Sequence, residues 1–267
     1  MDKLRLTPQQ LSFMETFGYL HFPGLMRDCA DQIIAAFEAV WQERGGGHDG
    51  RRHDGTARSC IVPFIDQSEY LSGLLDDGRI NGILSSLLGD DFNYLGSDGN
   101  YYVGDTRWHS DGAWQEPIGY YKLAIYLDPV DADTGALRVV PGSHRFGERF
   151  ADEVEREIDQ KTFWGGVAPN EVPAVALTSA PGDLVLFHQI LKHAAFGGGN
   201  RRRMFTINYT PAIDAAREAV YRETVSSHDY TVADVFGQPP GPLLTGAPPS
   251  RLPHLEALRR YIPDSAH

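Results

Sequence analysis

His109 and Asp111, in the run Arg107-Trp108-His109-Ser110-Asp111-Gly112, stand two residues apart. In an extended strand such neighbours point to one face, so an imidazole and a carboxylate are presented together. The pair is two-thirds of a 2-His-1-carboxylate facial triad, a ligand set that leaves open positions on Fe(II). Completion requires a histidine from far along the chain. Two compete: His188, which closes the apolar run Leu184-Val185-Leu186-Phe187, and His193, five residues later. An odd separation puts them on opposite faces of a regular strand unless a bulge at Gln189-Ile190 intervenes. Taken alone, His-x-Asp is a weak signal, because chance produces it at solvated strand ends.

The order of the surrounding motifs is more specific. A tight Pro181-Gly182-Asp183 turn, the apolar strand, His193 and then Arg201-Arg202-Arg203 resemble the phytanoyl-CoA dioxygenase-like family of iron- and 2-oxoglutarate-dependent oxygenases. Residues 6–24 look like that family's first helix and strand. Asp133-Thr134-Gly135-Ala136-Leu137-Arg138-Val139-Val140-Pro141-Gly142-Ser143-His144 is similar to its mid-chain signature. The resemblance selects His193 over His188 and implies that His109, Asp111 and His193 are the catalytic iron ligands. It further implies an arginine after His193 that grips the far carboxylate of 2-oxoglutarate, with Fe(II) as cofactor and 2-oxoglutarate and O2 as co-substrates. The implied reaction hydroxylates a C–H bond and releases succinate and CO2. The implied fold is mainly β with flanking helices, a double-stranded β-helix or jelly-roll of the cupin kind. One departure is the loop Gly197-Gly198-Gly199-Asn200, shorter than the family's Ser-containing loop. Iron halogenases resembling this family carry Gly or Ala in place of the carboxylate, so Asp111 favours hydroxylation, desaturation or demethylation over halogenation.

Alternation in the last strand places Arg202, Met204, Thr206 and Asn208 on one face and Arg203, Phe205, Ile207 and Tyr209 on the other. A guanidinium fork suits a buried carboxylate because it donates two parallel hydrogen bonds. Matching Arg-Arg-Met-Phe to the family's ending selects Arg202 for the co-substrate, with Arg203 as the fallback. Lys122 interrupts the apolar run Tyr121–Leu127, where an unpaired ammonium is costly. It either snorkels outward or turns inward to meet a carboxylate of cofactor or substrate. Tyr102 joins Arg202 and Lys122 as a cofactor-binding candidate. Trp108, Trp114, Tyr120 and Asn208 are the substrate-binding candidates, and the two tryptophans read equally as core. Together these side chains suit a small polar or anionic metabolite or natural-product intermediate as readily as an acyl group; because no basic nucleotide-phosphate patch appears outside Arg201 to Arg203, a compact charged substrate such as an amino acid, an ectoine-like osmolyte or an aminophosphonate is expected over a CoA thioester.

These side chains must be positioned by surrounding elements. Thr7-Pro8 predicts a helix start, Gly18 its end, and Tyr19–Phe22 a short strand stopped by Pro23-Gly24. Asp28 or Asp31 opens a second helix through Ile33, Phe37 and Trp41. The glycine-rich run 45–55 reads as a connector or a lid, and His21 and His144 as structural residues. Helical spacing continues over 68–88. Strands are expected at 92–95 and 100–103, then at 121–127, 137–140 and 171–177. Phe150 to about Lys161 reads as a charged helical insertion at the rim, followed by Phe163-Trp164-Gly165-Gly166. The expected organisation is a single domain over 1–267: helical support to about 90, a jelly-roll core over about 91–212, and a C-terminal extension over about 213–267.

At 267 residues with 42% hydrophobic side chains, the chain can bury one sizeable core. A net charge of −12 argues against a general nucleic-acid or anionic-membrane binder, which needs a basic face. Two cysteines, Cys29 and Cys60, are too few for a disulfide scaffold. With neither a signal-like start nor a spanning apolar stretch, the expectation is a cytoplasmic monomer or homodimer acting on a small molecule. Two other readings stay open: a cupin-like zinc or manganese hydrolase or isomerase, and a metal-free binding module.

Overall fold

The computed structural model describes residues 4–44, 47–48, 51–111, 119–158, 166–215, 217–226, 235–237 and 240–261. Helix α1 (Pro8–Phe17) starts where its sequence predicts. Thr7 Oγ1 accepts from the Gln10 N–H while the Gln10 side chain accepts from the Thr7 N–H, satisfying two donors that a helix start leaves open. Gly18, at φ 83°, closes the helix in the left-handed region and feeds strand β1 (Tyr19–Phe22). Helix α2 (Ala30–Glu43) follows a short 3-10 turn, and neither Asp28 nor Asp31 caps it through a side chain. Then come the small hairpin β2 (Gly47–His48) and β3 (Arg51–Arg52), strand β4 (Ser59–Ile61), and helices α3 (Glu69–Ser72) and α4 (Gly78–Leu88).

The remaining strands are β5 (Asn93–Tyr102), β6 (Thr106–His109), β7 (Tyr121–Tyr126), β8 (Leu137–Val139), β9 (Val175–Leu177), β10 (Leu184–His188), β11 (His193–Ala195) and β12 (Arg202–Thr210). They build two antiparallel sheets, one ordered β1-β10-β7-β12-β5-β4 and the other β6-β11-β8-β9. Helices α5 (Arg149–Ile158), α6 (Glu218–Ser226) and α7 (Leu252–Tyr261) complete the described elements. The N-terminal third therefore supplies both edge strands of the larger sheet, β1 and β4, as well as helices.

Period-two patterning decides what each face meets. Leu123 and Ile125 of β7, Leu184 and Leu186 of β10, and Phe205, Ile207 and Tyr209 of β12 pack with residues of α1, α2, α4 and α7. The alternate residues Ala124, Tyr126, Val185, Phe187 and Met204 pack against Leu137, Val139 and Leu177 of the smaller sheet. A helix layer thus covers one side of the large sheet, and the cavity between the sheets lies on the other.

Three sequence expectations change. The segments expected at 92–95 and 100–103 are one strand, β5, whose pairing with β12 shifts register opposite Asn208 and Tyr209. The run from Leu184 to His193 is two strands in different sheets, joined by a corner at residues 189–192. Helix α5 is not rim material: its Val154 is fully buried with Trp108, Val140 and Phe196 behind the smaller sheet.

Candidate active site

The corner after β10 explains how a histidine on one sheet meets a carboxylate beside another strand. In the β6–β11 pairing His193 lies directly opposite His109, and the two ring centroids are 4.2 Å apart. Asp111 sits just beyond the end of β6, where pairing has ceased. Its N–H donates to the Gln189 carbonyl at 2.9 Å, and the Ser110 hydroxyl donates to the Ile190 carbonyl at 3.0 Å. The Gln189-Ile190 corner therefore holds the Ser110-Asp111 segment.

One donor atom from each of His109, Asp111 and His193 lies within 4.8 Å of the others. His109 Nδ1 is 2.7 Å from the Arg107 carbonyl, and His193 Nδ1 is 2.7 Å from the Leu191 carbonyl. A carbonyl only accepts, so each Nδ1 carries a proton, and in the neutral ring that leaves the Nε2 lone pair for a metal. Those Nε2 atoms face the Asp111 carboxylate at 3.8 and 3.5 Å. Burial holds the His193 imidazole down to about 4, so it is neutral near pH 7. Two imidazole Nε2 atoms and a carboxylate converging on one point are a ligand set for a divalent cation, and the two Nδ1 hydrogen bonds fix the ring orientations. The residues present fit Fe(II).

Lys122 points inward. Its Nζ is 3.2 Å from Asp111 Oδ2 and 3.8 Å from Asp98 Oδ2. Burial opposes its charge, but Asp111 and Asp98 outweigh that and raise its pKa. For Asp111, burial raises the pKa, and Lys122 with the two histidines brings it well below the ordinary carboxylate range. The inward alternative for Lys122 thus holds, with a protein carboxylate as its partner.

The arginine triplet separates by partner. Arg201 pairs with Glu38, and Arg203 pairs with both Glu38 and Asp128. Arg202 is buried, its guanidinium lies 5.2 Å over the Tyr102 ring, and its Nη1 has no hydrogen-bond partner among the described residues. Burial lowers its pKa. It lines the same cavity as His109, Asp111, His193 and Lys122. A buried, unpaired guanidinium is costly, and an anion in the cavity would satisfy it.

Other sequence candidates divide. Tyr102 lines the cavity, its phenol pushed up to about 12 by burial. Tyr120 stands near Lys122 and Asp111, also pushed up to about 12 by burial. Trp108 alternates away from His109: it packs with Val140, Val154 and Phe196 and donates to the Pro169 carbonyl at 2.8 Å. Of the two readings of Trp108, substrate contact or core, the structure takes the core. Asn208 is buried and stands opposite Lys122 in the β12–β7 pairing, and its Oδ1 has no hydrogen-bond partner among the described residues. Trp114 and the Phe163–Gly165 stretch lie outside the described residues. His188 stays at the end of β10, stacked edge-on to Tyr121 and 5.4 Å from His144, away from the cavity. In the 45–55 segment, His53 bonds Ser59 and the Asn200 carbonyl, so its ring is committed to structure.

Two charged cavity residues, Arg58 and Asp98, escaped the sequence reading. Asp98, Asn100 and Tyr102 alternate along β5, so extending the strand back from Tyr102 would have pointed to Asp98. Arg58 carries no local signal, because it arrives through the pairing of β4 with β5.

The model of the phytanoyl-CoA dioxygenase (PhyH) family matches residues 14–204. Solved structures share the fold at low identity. The alpha-ketoglutarate-dependent carbocyclase SnoK from nogalamycin biosynthesis has TM-score 0.59 and 23% identity, covering 78% of this chain and 85% of that one. EctD from S. alaskensis with bound Fe has TM-score 0.59 and 20% identity, covering 77% of each chain. HygX from Streptomyces hygroscopicus with nickel and 2-oxoglutarate has TM-score 0.57 and 17% identity, covering 79% and 89%. No curated protein sequence matches.

Proposed function

Because the chain belongs to the phytanoyl-CoA dioxygenase (PhyH) family, we propose that it hydroxylates an unactivated C–H bond of a small polar metabolite or natural-product intermediate. It is an iron- and 2-oxoglutarate-dependent oxygenase, which sets aside the zinc or manganese hydrolase and the metal-free module. In this reading His109, Asp111 and His193 hold Fe(II), Arg202 holds the far carboxylate of 2-oxoglutarate, and Tyr102 braces the Arg202 guanidinium. Bound there with 2-oxoglutarate and O2, the iron supplies an oxidant strong enough for an unactivated C–H bond, with succinate and CO2 as by-products. Lys122 neutralises the Asp111 oxygen that faces it, and Tyr120 flanks that contact. The reading takes the two sheets as a double-stranded β-helix within one catalytic domain, acting in the cytoplasm as a monomer or homodimer. Two free thiols, Cys29 and Cys60, suit a reducing compartment, and among the described residues no helix is long and apolar enough to cross a membrane.

The observation that carries the reading is the pair of carbonyl-bonded Nδ1 atoms, which leaves both Nε2 lone pairs facing one carboxylate. Anaerobic titration of the protein with Fe(II) and then 2-oxoglutarate tests it. A weak visible charge-transfer band is expected, lost in His193→Ala and requiring more 2-oxoglutarate in Arg202→Ala. Stoichiometric iron binding without the band would overturn the oxygenase mechanism.

A further inference from the structure

Arg58, just before the edge strand β4, is the third cation of the cavity. Its Nε and Nη2 both donate to Asn100 Oδ1, at 2.8 and 2.6 Å. Its guanidinium lies 4.7 Å over the Tyr102 ring, and Nη2 is 4.0 Å from Asp98 Oδ1. Those contacts fix one edge of the fork. Nη1 has no hydrogen-bond partner among the described residues, and the side chain is 48% exposed while lining the cavity. A cation held rigidly by one edge and open on the other is arranged to receive a ligand, since little freedom remains to be lost on binding.

Charge balance indicates what kind of ligand. Among the described residues the cavity is lined by three cations, Arg58, Lys122 and Arg202, against two carboxylates, Asp98 and Asp111. Neutral histidine ligands add nothing, and the two charges of Fe(II) cancel the two carboxylates of 2-oxoglutarate. Among the described lining residues one positive charge is left over with both bound. Lys122 sits on Asp111 at 3.2 Å and shares Asp98 with Arg58, at 3.8 and 4.0 Å; with Arg202 taken by the co-substrate, Arg58 is the cation left to receive a further anion. The whole chain carries −12, which makes a cationic cavity a local feature with a local reason.

We infer that the substrate is a small molecule with a single net negative charge borne by a carboxylate, and that Arg58 receives this group. The inference rests on the oxygenase reading above and extends it to the substrate class. Asn100 and Tyr102 orient the guanidinium, and Asp98 keeps it from swinging out of the cavity.

The test uses the anaerobic protein loaded with Fe(II) and 2-oxoglutarate. A panel of small monocarboxylates, each beside its own primary amide, is titrated while the charge-transfer band is followed, and coupled succinate release in air is the second readout. Carboxylates should perturb the band at concentrations at least about tenfold below those their amides need. Arg58→Gln should abolish that preference, and Arg58→Lys should retain part of it. Amides as effective as acids in the wild type, or no carboxylate shifting the band, would overturn the substrate class. A weaker 2-oxoglutarate titration in Arg58→Gln would also overturn it, by assigning Arg58 to the co-substrate. If the wild type forms no band, the oxygenase reading has failed instead, and the two failures are told apart by that first spectrum.

Discussion

Arg202 owes its place to atoms that are missing. A Cβ on Gly135 would sit 1.8 Å from Arg202 Nη1, and one on Gly198 would sit 1.9 Å from the same nitrogen. Gly135→Ala should therefore displace the guanidinium and raise the Kd for 2-oxoglutarate at least about tenfold, read from the band titration. Gly104→Ala is the control: at φ 60° with open space around it, it carries only the backbone cost of about 1–2 kcal/mol. Lys122→Met removes the ammonium that holds Asp111 and should weaken anaerobic Fe(II) or Mn(II) binding by roughly 10–100-fold, measured calorimetrically. Unchanged affinity would show that the 3.2 Å contact does not orient the carboxylate. The choice within Arg201-Arg202-Arg203 was only partly legible. Alternation faces Arg202 inward, but only the partners of its neighbours, Glu38 and Asp128, separate three identical side chains.

Elements with their own punctuation read directly from the sequence. Thr7, Pro8, Gln10 and Gly18 mark both ends of α1 without help from the rest of the chain. Thr7→Ala should remove the capping box, cost about 1 kcal/mol, and lower Tm by about 2–4 °C without moving the charge-transfer band. A lost band would mean that α1 shapes the cavity. Strands were harder where their residues look like turns. Ser97-Asp98-Gly99-Asn100 has turn composition, yet it is the middle of β5. A Cβ at Gly99 would lie 2.1 Å from the Phe64 ring, Ser97 accepts the Phe64 and Ile65 N–H groups, and Asp98 faces the cavity. Each residue type there answers a neighbour distant in sequence, so local propensity misreads it.

Over the whole molecule, the buried histidines couple folding to pH. Burial pushes His188 down to about 3, with His144 adding to the effect. Unfolded, the same imidazole titrates near 6.5. Between those values unfolding takes up a proton, so stability is complete above about 6.5 and falls as the pH drops towards 3. The loss approaches about 1.4 kcal/mol per pH unit for this one group within that window. Urea midpoints of the metal-free protein at pH 7 and pH 5 should differ accordingly, and His188→Asn should narrow the gap. Equal gaps in both proteins would remove His188 as the cause.

The sequence by itself determined the chemistry. His109 and Asp111 share a face at a strand end, the family resemblance picks His193 over His188, and alternation along β12 sets Arg202 apart from Arg203. Such signals survive in one dimension because strand and helix periods are local properties. Tertiary structure decided the rest. The corner at residues 189–192 carries His193 into the smaller sheet beside His109, where the sequence offered a bulge within one strand. Register between β4 and β5 brings Arg58 to the cavity from a segment with no motif. Burial behind the smaller sheet turns Trp108 from a possible contact into core, and two absent Cβ atoms make room for Arg202. Partner choice across more than ninety residues, as between Asp105 and Gly197, is set by packing, which no local pattern encodes.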